Sequence, residues 1–232
     1  MSYWERNPVY VVGAAETLLG VVPDHTELSM FALAAQEALS EAGMTFKDVD
    51  GIFVNYMGEE GSVQVGEYLG IFEPRNARKK PVRVLGAGES QTRRNLSQAA
   101  DITVTPGVVS GREALGMAGI SPQDVDFLQP YDSFTITVLT ALEDLGFYEK
   151  GEGGAFVEGG RLAPGEALPA MTSGGGLSYN HPGALGVQLI IEAVRQLRGE
   201  AGARQLEGPK IGLVHGVGGL LSTAATTVLA DD

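Results

Sequence analysis

Apolar positions along the chain fall into two alternating rhythms. Short, β-branched runs at residues 8–13, 50–56, 80–86, 125–129, 210–214 and 221–229 predict buried strands. Between them the apolar spacing widens to that of a helix. Leu28, Phe31, Ala32, Ala35, Leu39 and Ala42 form one face of a helix predicted over 26–42 and stopped by Gly43. Further helices are predicted at 63–70 and 110–118. Another spans 134–145, with Phe134, Val138, Leu142 and Leu145 in register. The last runs to Arg198, with Leu185, Leu189, Ala193, Val194 and Leu197 turned inward. Residues 149–169 and 172–186 read as glycine-rich connections. Strands alternating with helices across short links mean an α/β fold, a sheet with helices on its faces.

The pattern is written twice. Glu37-Ala38-Leu39, Ala42-Gly43 and Asp48-Val49-Asp50 recur 76 residues later as Glu113-Ala114-Leu115, Ala118-Gly119 and Asp124-Val125-Asp126. Upstream, Pro8-Val9 and Gly13-Ala14 have counterparts in Pro81-Val82 and Gly86-Ala87. Two copies of one βαβ unit, with no third, imply a duplicated architecture. The strands opening each copy are expected to be equivalent, in a shortened first half, 1–75, and a longer second half, 76–232.

Charge narrows the partners. Sixteen basic against 29 acidic side chains give a net charge of −13, which argues against nucleic acid. No apolar run reaches the roughly 20 residues of a membrane span, and the first residues lack a signal pattern. A cytoplasmic location with no membrane association is expected. The absence of cysteine removes disulfides, thiolate nucleophiles and cysteine metal sites. No metal site is expected. The 33 glycines lie between periodic segments, as tight turns and close backbone approaches require.

In open α/β sheets, ligands gather at strand C-terminal ends and helix N-termini. That rule puts residues 131–134, 173–181 and 215–219 on one rim. His181 follows Gly174-Gly175-Gly176-Leu177-Ser178-Tyr179-Asn180 and precedes Pro182, at a helix start where the dipole favours neutral imidazole and developing negative charge. Tyr131-Asp132-Ser133-Phe134 joins a strand to a helix. Tyr131 is placed to exchange a proton or donate to an oxyanion, with Asp132 as an alternative cap of the helix that follows. His215 reads equally as a strand-end structural residue. Arg75, Arg78, Lys79, Lys80 and Arg83 are the one basic concentration, as suited to a solvated loop as to a phosphate. Gly86-Ala87-Gly88 is too short a fragment for a dinucleotide loop.

Taken together, Tyr131-Asp132-Ser133-Phe134, Leu142-Glu143-Asp144-Leu145-Gly146-Phe147, Ser173-Gly174-Gly175-Gly176-Leu177, His181-Pro182-Gly183 and Gln196-Leu197-Arg198-Gly199 resemble the C-terminal half of thiolase-like enzymes. The resemblance is to the branch of sterol carrier protein-type thiolases and lipid-transfer aldolases. It spans residues 81–230, and the start of that family's first half resembles residues 8–72. Two departures stand out. The long cysteine-bearing stretch of the family's first half has no counterpart after Arg75, and Ser133 occupies a position that carries an acid/base cysteine in related thiolases.

The resemblance implies a thiolase-like duplicated fold and an acyl-CoA substrate, with coenzyme A as part of the substrate and no tightly bound cofactor. Without cysteines, the implied chemistry is a retro-aldol cleavage of a β-hydroxyacyl-CoA from lipid or steroid side-chain degradation. Tyr131, His181 and Tyr179 would carry protons. Asp132, Ser133, Gly175, Gly176, Asn180, Gly218 and Gly219 would line the substrate and its oxyanion. Two alternatives stand beside it: a non-catalytic acyl-CoA-binding or structural subunit, and an acyltransferase if a cysteine-bearing segment belongs to the chain. A homodimer is expected, completed by a small OB-fold partner subunit as in the lipid-transfer aldolases.

Overall fold

The computed structural model describes residues 9–17, 20–49, 68–69, 80–93, 96–178 and 185–231. The strand predicted at 50–56 lies outside the described residues, as does most of the helix predicted at 63–70. In chain order the elements are β1 (Val9–Val11), α1 (Glu27–Ala42), β2 (Val82–Gln91), α2 (Gly107–Ala118), β3 (Phe127–Pro130), α3 (Thr135–Asp144), α4 (Gly153–Val157), α5 (Gly175–Ser178), α6 (Leu185–Arg198), β4 (Ile211–Gly218) and β5 (Thr223–Asp231). They divide into two compact units, residues 11–81 and residues 82–232 with 1–10. The boundary falls a few residues beyond the 75/76 junction read from the sequence.

Each copy of the repeat folds by the same local rules. Thr26 caps α1 by accepting from Ser29 N–H, and Gly43 ends the helix at φ 69°. Its counterpart Gly119 ends α2 at φ 70°. Left-handed backbone is why both positions hold glycine. One short 3-10 turn follows each helix, closed by an acidic side chain reaching back. Asp48 accepts from Thr45 N–H at 2.8 Å, and Asp124 accepts from Ser121 N–H at 2.8 Å. Ahead of each helix, a glycine, just past β1 in one copy and within β2 in the other, presses on a helix carbonyl. A Cβ on Gly13 would overlap the Ala38 oxygen, and one on Gly86 would overlap the Ala114 oxygen. Even the next residue repeats: Ala14 N–H donates to Glu41 at 2.7 Å, and Ala87 N–H to the Met117 sulfur at 3.4 Å.

In the larger unit five strands form one mixed sheet in the order β1-β2-β5-β4-β3. β2 and β4 each pair antiparallel with β5, while β3 runs parallel to β4 from Phe127 opposite Gly212 to Pro130 opposite His215. α2 packs on β2 and β5, and α6 packs on β4 and β3. The core gathers Ala114, Leu115, Leu128, Leu142, Leu145, Leu213 and Val228. All five residues expected to face inward on α6 are at most 4% exposed.

Several sequence expectations need correction. β2 runs on through Gly86 and Gly88 to Gln91, so this glycine pair sits inside a strand, where missing side chains let α2 approach. β4 extends past His215 to Gly218, because β5 supplies partners for glycine positions that the sequence reads as loop. Phe134 does not join the buried face of α3. It is the N-cap, in extended backbone at φ −146°, and is 67% exposed. The 149–169 connection contains α4, and the 172–186 connection contains α5.

Candidate functional site

Because β3 and β4 are parallel, their C-terminal ends finish side by side. The first residue past β3 is tied across: Tyr131 N–H donates to the His215 carbonyl at 2.7 Å. The half-buried Tyr131 stands between two cavities. One, of about 490 Å³, is bounded by Ser133, Phe134, Ile136, Val217, Leu220 and Leu221 and is almost wholly apolar. The other, of about 500 Å³, adds Glu89, Gly216 and Thr223 and is more polar. Tyr131, Val217, Gly218 and Gly219 border both. Burial and the neighbouring Asp132 charge push the Tyr131 hydroxyl above its ordinary pKa. At neutral pH this phenol is protonated, a donor rather than a base.

Asp132 does not cap the helix that follows it. α3 is closed by Thr137, whose hydroxyl accepts from Phe134 N–H at 3.2 Å. Asp132, 3% exposed, reaches instead to α5, accepting from Gly176 N–H at 2.7 Å and Leu177 N–H at 3.1 Å. Gly175, at φ 59°, packs so closely on Asp132 and Met171 that a Cβ would overlap both. Its N–H goes to Ser173 at 3.3 Å. The amides of Gly175 and Gly176 are therefore already committed, and both Asp132 oxygens are engaged by backbone N–H groups. In this geometry Asp132, Gly175 and Gly176 fix a loop. Ser133 lines the apolar cavity, its hydroxyl 3.4 Å from that of Thr137. Gly218 and Gly219 lie on the cavity wall.

Among the described residues, the non-glycine positions in left-handed backbone are Met171, Leu220 and Leu221, at φ 52°, 56° and 61°. All three stand in the two loops that flank Tyr131. Such conformations cost on the order of 1–3 kcal/mol each and persist only where surroundings enforce them. The turn after β4 is enforced by Ser222, whose N–H bonds the Gly218 carbonyl at 3.0 Å, and by Arg93, whose guanidinium bonds the Leu221 carbonyl at 3.0 Å. It holds Leu220, 76% exposed, at the rim of the apolar cavity.

His215 lies behind this surface. It is fully buried, with Nδ1 2.9 Å from the Thr226 hydroxyl, which is in turn 2.9 Å from Ser110. Burial pushes its pKa down to about 4. This buried imidazole lines neither cavity, which favours a structural role. Tyr179, Asn180 and His181 lie outside the described residues, as do Arg75, Arg78 and Lys79 of the basic cluster. Sequence reasoning missed Glu89, Arg93, Leu220 and Leu221. Only the glycines around Leu220 could have hinted at a special turn. Among the described residues no group of three or more His, Asp or Glu side chains is arranged to hold a metal ion. None of their helices is long and apolar enough to cross a membrane.

Comparison with known proteins gives a consistent neighbourhood. Residues 88–231 match the thiolase C-terminal domain-like family. An acetyl-CoA acetyltransferase of Methanothermobacter thermautotrophicus is 41% identical over 152 residues, 65% of this chain and 40% of the relative. A 17-hydroxy-3-oxo-4-pregnene-20-carboxyl-CoA lyase of Mycobacterium tuberculosis is 39% identical over 120 residues, 51% of this chain and 28% of that protein. A steroid side-chain-cleaving aldolase of Thermomonospora curvata is 38% identical over 118 residues, 49% of this chain and 29% of the aldolase. Among solved structures, the Ltp2-ChsH2(DUF35) aldolase superposes with a TM-score of 0.60 at 28% identity, over 68% of this chain and 42% of the other. The chain thus spans less than half the length of each of these relatives.

Proposed function

The chain belongs to the thiolase C-terminal domain-like family, and from that premise we propose that it cleaves a carbon–carbon bond in a β-hydroxyacyl-CoA of lipid or steroid origin. The observation that carries this reading is a protonated Tyr131 between an apolar and a polar cavity in a chain without a single cysteine. Among these 232 residues, chemistry through an acyl-cysteine has no nucleophile. A retro-aldol reaction needs none. Two relatives in the same neighbourhood are a lyase and an aldolase by name.

In the proposed reaction a base takes the β-hydroxyl proton and the Cα–Cβ bond breaks. The carbonyl of the leaving ketone forms from the oxygen's electrons, while the bonding pair enters the thioester enolate. Protonation at Cα then yields the shortened acyl-CoA, so atoms and charge balance. Tyr131 supplies the proton or the hydrogen bond that stabilises the enolate oxygen, the step where preorganised donors contribute most. His181 or Tyr179 serves as its partner, and the acyl skeleton occupies the apolar cavity. In this reading the protein works as a homodimer with a small OB-fold subunit, and the two-component name of the aldolase neighbour supports the presence of a partner subunit.

The test is direct. Purified protein, alone and with a candidate partner subunit, is incubated with a β-hydroxyacyl-CoA, and the ketone and shortened acyl-CoA are followed by mass spectrometry. Tyr131→Phe is expected to bind the substrate normally and lose most of the cleavage. Equal turnover by Tyr131→Phe removes Tyr131 from the mechanism. Tight acyl-CoA binding with no cleavage under any condition identifies a binding subunit instead. The acyltransferase name of one relative favours a second reading only for an assembly in which another segment supplies a cysteine.

A further inference from the structure

A buried carboxylate that lines neither cavity is wired to the end of β3 and to the segment that opens the 173–176 loop. Glu192 in α6 is 2% exposed, between the buried apolar residues Ile191 and Ala193. Its Oε2 accepts from Arg204 Nη2 at 2.8 Å, and its Oε1 accepts from the Thr172 hydroxyl at 2.7 Å and from Gln196 Nε2 at 3.1 Å. Thr172 in turn accepts from Gln129 Nε2 at 2.7 Å. Gln129 lies in β3 two residues before Tyr131. Thr172 immediately precedes the Ser173–Gly176 loop that Asp132 holds.

Proton counting fixes the direction of this chain. A threonine hydroxyl carries one proton. Thr172 gives it to Glu192, so its oxygen is free only to accept, and Gln129 has to present its NH2 group. The Gln129 Oε1 is then left buried with no partner among the described residues. An unpaired buried carbonyl is unfavourable. It is tolerated here because the charge of Glu192 dictates the polarity of the line. Desolvation of Glu192 opposes ionisation, but the bonds from Arg204, Thr172 and Gln196 outweigh it and hold the carboxyl below its usual range. The charge that balances Glu192 lies at the surface, since the Arg204 side chain is 45% exposed.

We infer that Glu192 is a positioning residue. Its charge sets the polarity of the Gln129–Thr172–Glu192 relay, which fixes the end of β3 against the 173–176 loop and so places Tyr131, with Arg204 sustaining that charge from the surface. This deepens the proposed function, because it rests on Tyr131 as the proton-carrying group of the site.

Glu192→Gln reverses the relay. The new amide donates to Thr172, which turns its proton toward the Gln129 oxygen. In protein labelled with nitrogen-15 and 3-fluorotyrosine, with the Tyr131 signal assigned through Tyr131→Phe, this variant is expected to shift three sets of resonances. They are the Gln129 side-chain amide, the Gly176 and Leu177 amides and the fluorine of Tyr131. Turnover of a β-hydroxyacyl-CoA is expected to fall in kcat by about tenfold or more, as misplacement of a reacting group does, with KM little changed. Arg204→Met, altered at the exposed end, should give the same spectral shifts if Glu192→Gln fails to fold, and Arg204→Lys should partly restore the parent spectrum. A folded Glu192→Gln or Arg204→Met protein in which the Tyr131 fluorine and the Gly176 and Leu177 amides stay put overturns the inference. The spectra need no substrate. A parent protein without lyase activity therefore counts against the proposed reaction, while the relay stands or falls on the resonances.

Discussion

The Asp132 carboxylate and the Gly176 amide, 44 residues apart in sequence, meet at 2.7 Å. A second bond to Leu177 N–H uses the other carboxylate oxygen. The Asp132 side chain thereby clasps the loop after β3 to the start of α5, a few residues beyond the Leu128–Ala170 bridge that joins their stems. Asp132→Ala leaves two backbone donors short of an acceptor, at a cost of about 1–3 kcal/mol each where they stay buried. The variant is expected to unfold at lower urea concentration and to bind octanoyl-CoA weakly. Unchanged urea midpoint and binding would show the clasp to be idle.

Asp132→Asn is the subtler probe. It keeps the size and one acceptor but removes the negative charge that, with burial, raises the Tyr131 pKa. The phenol is then expected to ionise at lower pH than in the parent, read as tyrosinate absorbance against a Tyr131→Phe control. A titration identical to the parent's would leave burial as the whole cause.

Glycine substitutions separate tight sites from open ones. Gly175→Ala forces a Cβ into Asp132 and Met171 at a left-handed φ, and should destabilise by at least about 1–2 kcal/mol. Gly116→Ala, in the interior of α2 with open space around it, should stabilise by roughly 0.5–1 kcal/mol. Thermal melts decide the pair, and the same sign for both would contradict the packing described.

His215 predicts a specific acid sensitivity. Its folded pKa near 4 lies below the ordinary 6.5. Between those values the unfolded chain binds a proton that the native protein refuses. Stability should therefore fall as pH drops from about 6.5 to about 4, by roughly 3 kcal/mol for this group alone, and stay flat with respect to it below that range. His215→Gln should flatten the stability profile in that window. An unchanged slope would place the titrating group elsewhere.

Leu220 separates strain from use. Leu220→Gly relieves a left-handed φ and removes an exposed side chain, so it should gain about 1 kcal/mol of stability. It should also weaken octanoyl-CoA binding by shortening the apolar wall. A gain in stability with unaltered binding would mean that acyl chains do not touch this rim.

Much of the fold was legible because local rules govern it. Thr26 and Gly43 mark both ends of α1, and the 76-residue echo reports two helix–turn units with matching caps. The five inward residues of α6 follow from spacing alone. What spacing cannot show is a polar side chain on an inward face. Glu192 and Gln196 occupy such positions, and their partners come from Thr172 and Arg204 in other elements. Phe134 kept the helical register in sequence but stands at the N-cap, where backbone geometry turns it outward. The expected cap of α3 by Asp132 was locally sound. It lost to a loop more than forty residues away, whose approach no local pattern encodes.

The twin approaches of Gly13 to Ala38 and of Gly86 to Ala114 bear on how a duplicated gene can drift. Where a strand touches a helix through bare backbone, no side chain bridges the gap and no matching pair has to change together. Each copy can therefore rewrite its neighbouring positions independently, as Glu41 and Met117 already differ while occupying the same place. The glycine that cannot acquire a side chain is held in both copies, so a shared ancestry stays readable there after neighbouring positions have parted.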